Sequence, residues 1–104
     1  MKFHPVMHNT PEWIQDAVRA VPNEQMQGAV WRYLRFGYHP GHFLHSVLNN
    51  EFQQAAMHAD GLNKTRLHEW GMWLYNDIPA AAWGSPERTR IWMRKKASEY
   101  EDGE

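Results

Sequence analysis

Apolar residues in this chain recur at steps of three and four, and nowhere do they alternate with polar ones long enough to make a strand. Trp13, Ile14, Ala17, Val18 and Val21 form the first such stripe. The spacing predicts a helix from Glu12, capped by the Thr10 hydroxyl, opened by Pro11 with its preset φ and ended by Pro22. Asn23 then stands where it can cap a second helix over 24–36, with Met26, Val30, Tyr33 and Leu34 inward. Gly37 closes that helix by taking a left-handed conformation without a Cβ penalty.

Punctuation also defines the middle of the chain. His39-Pro40-Gly41 starts a central helix whose apolar face is Phe43, Leu44, Val47 and Leu48, and Asn49-Asn50 interrupts it. Asn50 with Gln53 resembles a capping box for a short fourth helix reaching Ala59. Asp60-Gly61 turns the chain into a fifth helix over 62–77, which buries Leu67, Trp70, Leu74 and Ile78 and uses Gly71 for a close crossing. After Pro79 and three alanines, Ser85-Pro86-Glu87 repeats the hydroxyl, proline and acid start, and a last helix over 86–98 docks by Ile91 and Trp92. The expected fold is all-α, a compact single-domain bundle of about five to six short helices over 1–98, with 1–9 as an irregular arm and 99–104 as a loose acidic tail.

Composition narrows the chemistry. At 104 residues and 42% apolar, the chain suits one folded domain rather than a disordered segment, and no apolar run approaches the ~20 residues of a membrane span. The first ten residues lack the charged start and apolar stretch of a secretory signal, so the expected location is the cytoplasm. The absence of cysteine removes disulfides, thiolate ligands and thiol nucleophiles together. A net charge of −1 gives no general attraction for nucleic acid or anionic lipid. Six tryptophans among fourteen aromatic residues exceed what a small core needs, so some are expected to line a pocket or an interface, and self-association as a twofold dimer is expected. Trp13, Trp70 and Trp73 are assigned to the core because they fall on or beside apolar stripes.

Several separated pieces carry a resemblance: Tyr33-Leu34, Gly37, Pro40-Gly41, Phe43-Leu44, Val47-Leu48-Asn49, Ala59-Asp60, Asn63, Trp73-Leu74-Tyr75-Asn76, Pro79 and Trp83-Gly84-Ser85-Pro86. In order and spacing they resemble a family of small uncharacterised proteins encoded by tailed phages and prophages. The resemblance runs from about Tyr33 to Trp92. It implies an accessory protein of the bacterial host cytoplasm, and it brings no reaction with it.

Two candidate chemistries follow from the residues. The start at Pro40-Gly41-His42 offers free amides and a positive dipole end for an anion, although the same residues also make a plain corner between two core helices. The ligand-binding set expected there and nearby is His39, Gly41, His42, His45, Asp60, Asn63, Trp83 and Ser85, with helix capping as the competing role for Asp60, Asn63 and Ser85. The three-residue spacing of His39, His42 and His45 has no acidic partner in the run, so no metal and no cofactor are expected. The second chemistry is basic. Arg88, Arg90, Arg94, Lys95 and Lys96, with Trp92 for stacking, make nucleic acid the alternative partner, against competition from Glu99, Glu101, Asp102 and Glu104. No catalytic residue is assigned, since the adjacent His68 and Glu69 point to different helix faces and no serine has an elbow context. The expectation is a binding protein, not an enzyme, that engages a host protein or a small anionic ligand during infection.

Overall fold

Helices make up all the regular structure of the residues that the computed structural model describes, 10–59 and 61–103, the side chains of 62 and 100–103 excepted. We number them α1 (Glu12–Arg19), α2 (Gln27–Phe36), α3 (His42–Leu48), α4 (Phe52–His58), α5 (Gly61–Lys64), α6 (Leu67–Asp77) and α7 (Pro86–Gly103). Short 3-10 turns at Glu24–Met26 and Ala80–Ala82 lead into α2 and connect α6 to α7. The fold is therefore all-α, and its radius of gyration of 13.0 Å is that of a compact globule of this length. No helix among the described residues is long and apolar enough to cross a membrane.

The expected stops and starts account for much of this. Asn23 accepts from the Gln25 amide at 3.0 Å and so opens the turn into α2. Gly37, at φ 78°, closes α2 with its amide on the Tyr33 carbonyl. Ser85 Oγ accepts from the Arg88 amide at 3.1 Å, which caps α7 in the expected way.

The core is made by α1, α2, α3 and α6, with α7 laid across α2, α3 and the Ala80–Ala82 turn. Val30, Tyr33 and Leu34 face inward from α2, and Phe43, Leu44, Val47 and Leu48 from α3. Full burial of a Leu or Val contributes about 1.5–3 kcal/mol. The ion pairs Arg19–Asp16, Arg66–Glu69 and Lys96–Glu99 are all exposed i,i+3 pairs worth under about 1 kcal/mol each, so burial decides the fold. Polar groups inside the core act as ties between distant segments. Tyr33 donates to the Ala82 carbonyl at 2.6 Å, Trp92 Nε1 to the Tyr33 carbonyl at 3.2 Å, Trp73 Nε1 to the Ala17 carbonyl at 2.9 Å, and the Thr89 hydroxyl to Asn49 Oδ1.

Several local expectations give way. Thr10 does not cap α1: it is buried, its hydroxyl accepts from Trp31 Nε1 at 2.9 Å, and Pro11 occupies the cap position. Asn50 does not cap α4, because it takes φ 64° and leaves Glu51 as the cap residue. The helix expected over 62–77 is broken at Thr65–Arg66, where the Arg66 guanidinium reaches back to the Pro22 carbonyl. Gly71 makes no close crossing, since a Cβ there would meet only the Phe52 ring at an ordinary 3.7 Å. The close approach falls at Gly37, where a Cβ would lie 2.3 Å from the Met93 carbonyl oxygen. Of the tail expected to be loose over 99–104, residues 99–103 continue α7, which runs to Gly103, and the Lys96–Glu99 pair supports the start of that stretch. The arm assigned to 1–9 lies outside the described residues.

Candidate functional site

The turn between α2 and α3 gathers histidines. Ring centroids of His39 and His45 are 4.4 Å apart, those of His39 and His42 6.4 Å, and His58 from α4 lies 5.5 Å from His42. His58 is brought beside the other three by α4 folding back on α3, a placement that the spacing of His39, His42 and His45 does not itself fix. Burial lowers the pKa of half-buried His45, and His39 and His42 add to the effect while Glu51 opposes it. Among the described residues no group of three or more histidine, aspartate or glutamate side chains is placed to share a metal ion.

The amide at the start of α3 is already used. Gly41, at φ 95°, donates its N–H to His39 Nδ1 at 3.0 Å, and the helix that follows has only seven residues. Of the Gly41 and His42 amides expected to meet an anion, that of Gly41 makes a contact inside the chain instead, as suits the corner-making role of Pro40-Gly41.

The rest of the expected ligand set is dispersed. Asp60 lies outside the described residues. Asn63 is a buried hub, whose Oδ1 accepts from Asn23 Nδ2 at 3.0 Å and from Trp70 Nε1 at 3.2 Å. It has neither the exposure that ligand binding needs nor a cap position, because its side chain ties α5 to α6 and to the start of α2. Trp83 is half-buried against the core and Ser85 is the α7 cap. Both sit near the other end of α3 from the histidines, where the Gly84 amide donates to the Leu48 carbonyl at 2.8 Å.

The basic helix also differs from its expected form. Trp92 is buried, donates to Tyr33 and packs edge-on against Trp13 at 6.2 Å, so it offers no face to a nucleobase. Lys96 is held over the Trp92 ring at 4.7 Å and paired with Glu99. Arg88 folds toward the Ala80 and Trp83 carbonyls at 3.4 and 3.5 Å. Arg90, Arg94 and Lys95 remain as exposed cations.

A different surface emerges around the connector from α6 to α7. The face of α7 that enters the core is Thr89, Trp92 and Met93, so Ile91 lies off that register and is 55% exposed rather than docked. Trp13, assigned to the core from its stripe, is 38% exposed at the edge of α1. Between these two residues runs the connector, with a hollow on each side. One, of about 490 Å³, is lined by Trp13, Asn76, Asp77, Ile78 and Pro79. The other, of about 310 Å³, is lined by Ala80, Ala81, Arg88 and Ile91. A third, of about 330 Å³, continues along α6 past Asp77 to Arg66, Glu69 and Met72. Asp77 belongs to two of these hollows, and its pKa is raised by burial and by Asp16 across on α1.

Every buried side-chain nitrogen and oxygen among the described residues has a hydrogen-bond partner. No family model, curated protein or solved structure matches this chain.

Proposed function

We propose that this protein is a small helical binding protein that engages a protein partner through the apolar surface around the Ile78–Ala82 connector. The observation that carries the reading is the pairing of exposed Trp13 and Ile91 on either side of that connector, each beside a hollow. Aromatic and aliphatic anchors beside concave apolar surface are the usual core of a protein interface. The resemblance along Tyr33 to Trp92 supports a phage or prophage accessory protein that acts in the bacterial cytoplasm during infection. The reading assigns no reaction. A small anion at α3 is less well supported, because His39 already takes the Gly41 amide. Nucleic acid is less well supported too, because Trp92 is buried.

The test compares what a tagged chain captures by cross-linking in phage-infected bacteria. A double variant, Trp13→Ser with Ile91→Asp, is expected to lose the captured protein, whereas a variant with His39, His42 and His45 replaced by Gln keeps it. Capture that survives the first variant and disappears with the second would move the interface to the histidines.

A further inference from the structure

The two charges that flank the connector are set against their own helices. Asp77 is the last residue of α6, at the negative end of its dipole, and Arg88 lies in the first turn of α7, at the positive end. Among the described residues neither has an ion-pair partner. Asp16, the charged neighbour of Asp77 from α1, is a carboxylate already paired with Arg19, and Arg88 has only two long contacts to carbonyls. Both placements work against the fold, and within the chain only the two long carbonyl contacts of Arg88 offset either of them.

A patch with an unpaired acid on one side, an unpaired base on the other and apolar residues between them is complementary to itself after a half turn. That is the requirement of a twofold interface, in which residue i meets j and j meets i. Resting on the reading of the connector as an interface, we infer that its occupant is a second copy of this chain, with the partner's Arg88 and the partner's Ile91 entering the hollow of Trp13 and Asp77. The indole wall suits a guanidinium as well as an aliphatic knob, and the same contacts repeat across the axis. An unrelated partner would need to carry a cation and an anion at the matching spacing.

Sedimentation or light scattering of the full chain over a concentration series is expected to show a species at twice the 12.3 kDa chain mass. Asp77→Arg and Arg88→Asp each place the new charge in agreement with the helix dipole, so both variants are expected to fold, which circular dichroism and melting confirm. Each alone weakens the dimer by about tenfold or more, and the double exchange recovers most of that loss. A monomer at every concentration, or single exchanges without effect, or a double variant no tighter than the singles, overturns the inference. If the chain is monomeric yet Trp13→Ser with Ile91→Asp still abolishes capture of another protein, the interface stands and only its occupant is wrong. A dimer unaffected by that same double variant sinks the connector as an interface altogether.

Discussion

Gly37 and Met93 meet backbone to backbone. A Cβ on Gly37 would stand 2.3 Å from the Met93 carbonyl oxygen and 3.1 Å from the Ala97 nitrogen, so the end of α2 and the middle of α7 touch where no side chain fits. Gly37→Ala is therefore expected to lose more than about 2 kcal/mol, from the left-handed φ and from forcing the two helices apart. Gly41→Ala is the control, since φ is also positive there but nothing lies within 4 Å of the added carbon. Its loss should be confined to backbone strain of about 1–3 kcal/mol, because φ 95° with ψ 163° is a region open essentially to glycine alone. A Gly37→Ala loss, read from urea midpoints, no larger than the roughly 1–2 kcal/mol of left-handed strain would show that the Met93 contact has no energetic weight.

Tyr33, one turn earlier on α2, ties that helix to the connector before α7. Its hydroxyl donates to the Ala82 carbonyl at 2.6 Å, in a position where burial raises the phenol pKa well above its usual value. Tyr33→Phe leaves that carbonyl buried without its donor and is expected to cost about 1–3 kcal/mol. Chemical denaturation measures the loss. A change under about 0.5 kcal/mol would mean that another donor reaches Ala82.

Acid should loosen the turn before α3. Unfolded, His45 takes up a proton near its ordinary pKa of 6.5, whereas in the fold burial and the neighbouring His39 and His42 lower that value. The unfolded chain thus binds the proton first, so the contribution of His45 is complete above about pH 6.5 and is lost as pH falls through and below it. Urea midpoints at pH 7.5 and pH 5.0 should differ more for the parent than for His45→Asn. Equal differences would place the acid sensitivity elsewhere.

Asp77 gives a prediction in which stability and association move in opposite directions. Its pKa is raised in the fold, first by burial and then by Asp16, so ionisation above the ordinary carboxylate range works against the folded monomer. Asp77→Asn is expected to raise the monomer melting temperature at pH 7 and to weaken the proposed dimer. Melting at low concentration and light scattering at high concentration separate the two effects. A variant that lost both stability and association would identify Asp77 as a structural residue.

The sequence makes the backbone punctuation legible because a cap or stop works through groups only a few residues apart. Asn23, Gly37, Pro40-Gly41 and Ser85-Pro86 all act within that range. The inward faces of α2 and α3 are legible for the same reason. What the sequence hides depends on distant partners. Thr10 looks like a cap until Trp31 claims its hydroxyl, Trp92 looks available until Tyr33 and Trp13 cover it, and Asn63 looks like a ligand or cap residue until Asn23 and Trp70 meet on its oxygen. The hollows beside the connector are built from α1, α6 and α7 together. Only the phase of Ile91 hinted at them: in the helical count it falls outside the face made by Thr89, Trp92 and Met93, so its exposure was open to prediction.

Four indole N–H groups each close a different joint: Trp31 to Thr10, Trp70 to Asn63, Trp73 to Ala17 and Trp92 to Tyr33. The tryptophans thereby supply a set of internal probes, one per seam, with no label to attach. Indole proton exchange followed by NMR would resolve the four signals separately and show the order in which the seams open on the way to unfolding. Trp13, at the edge of the connector surface, adds a fifth signal that responds to docking instead of melting.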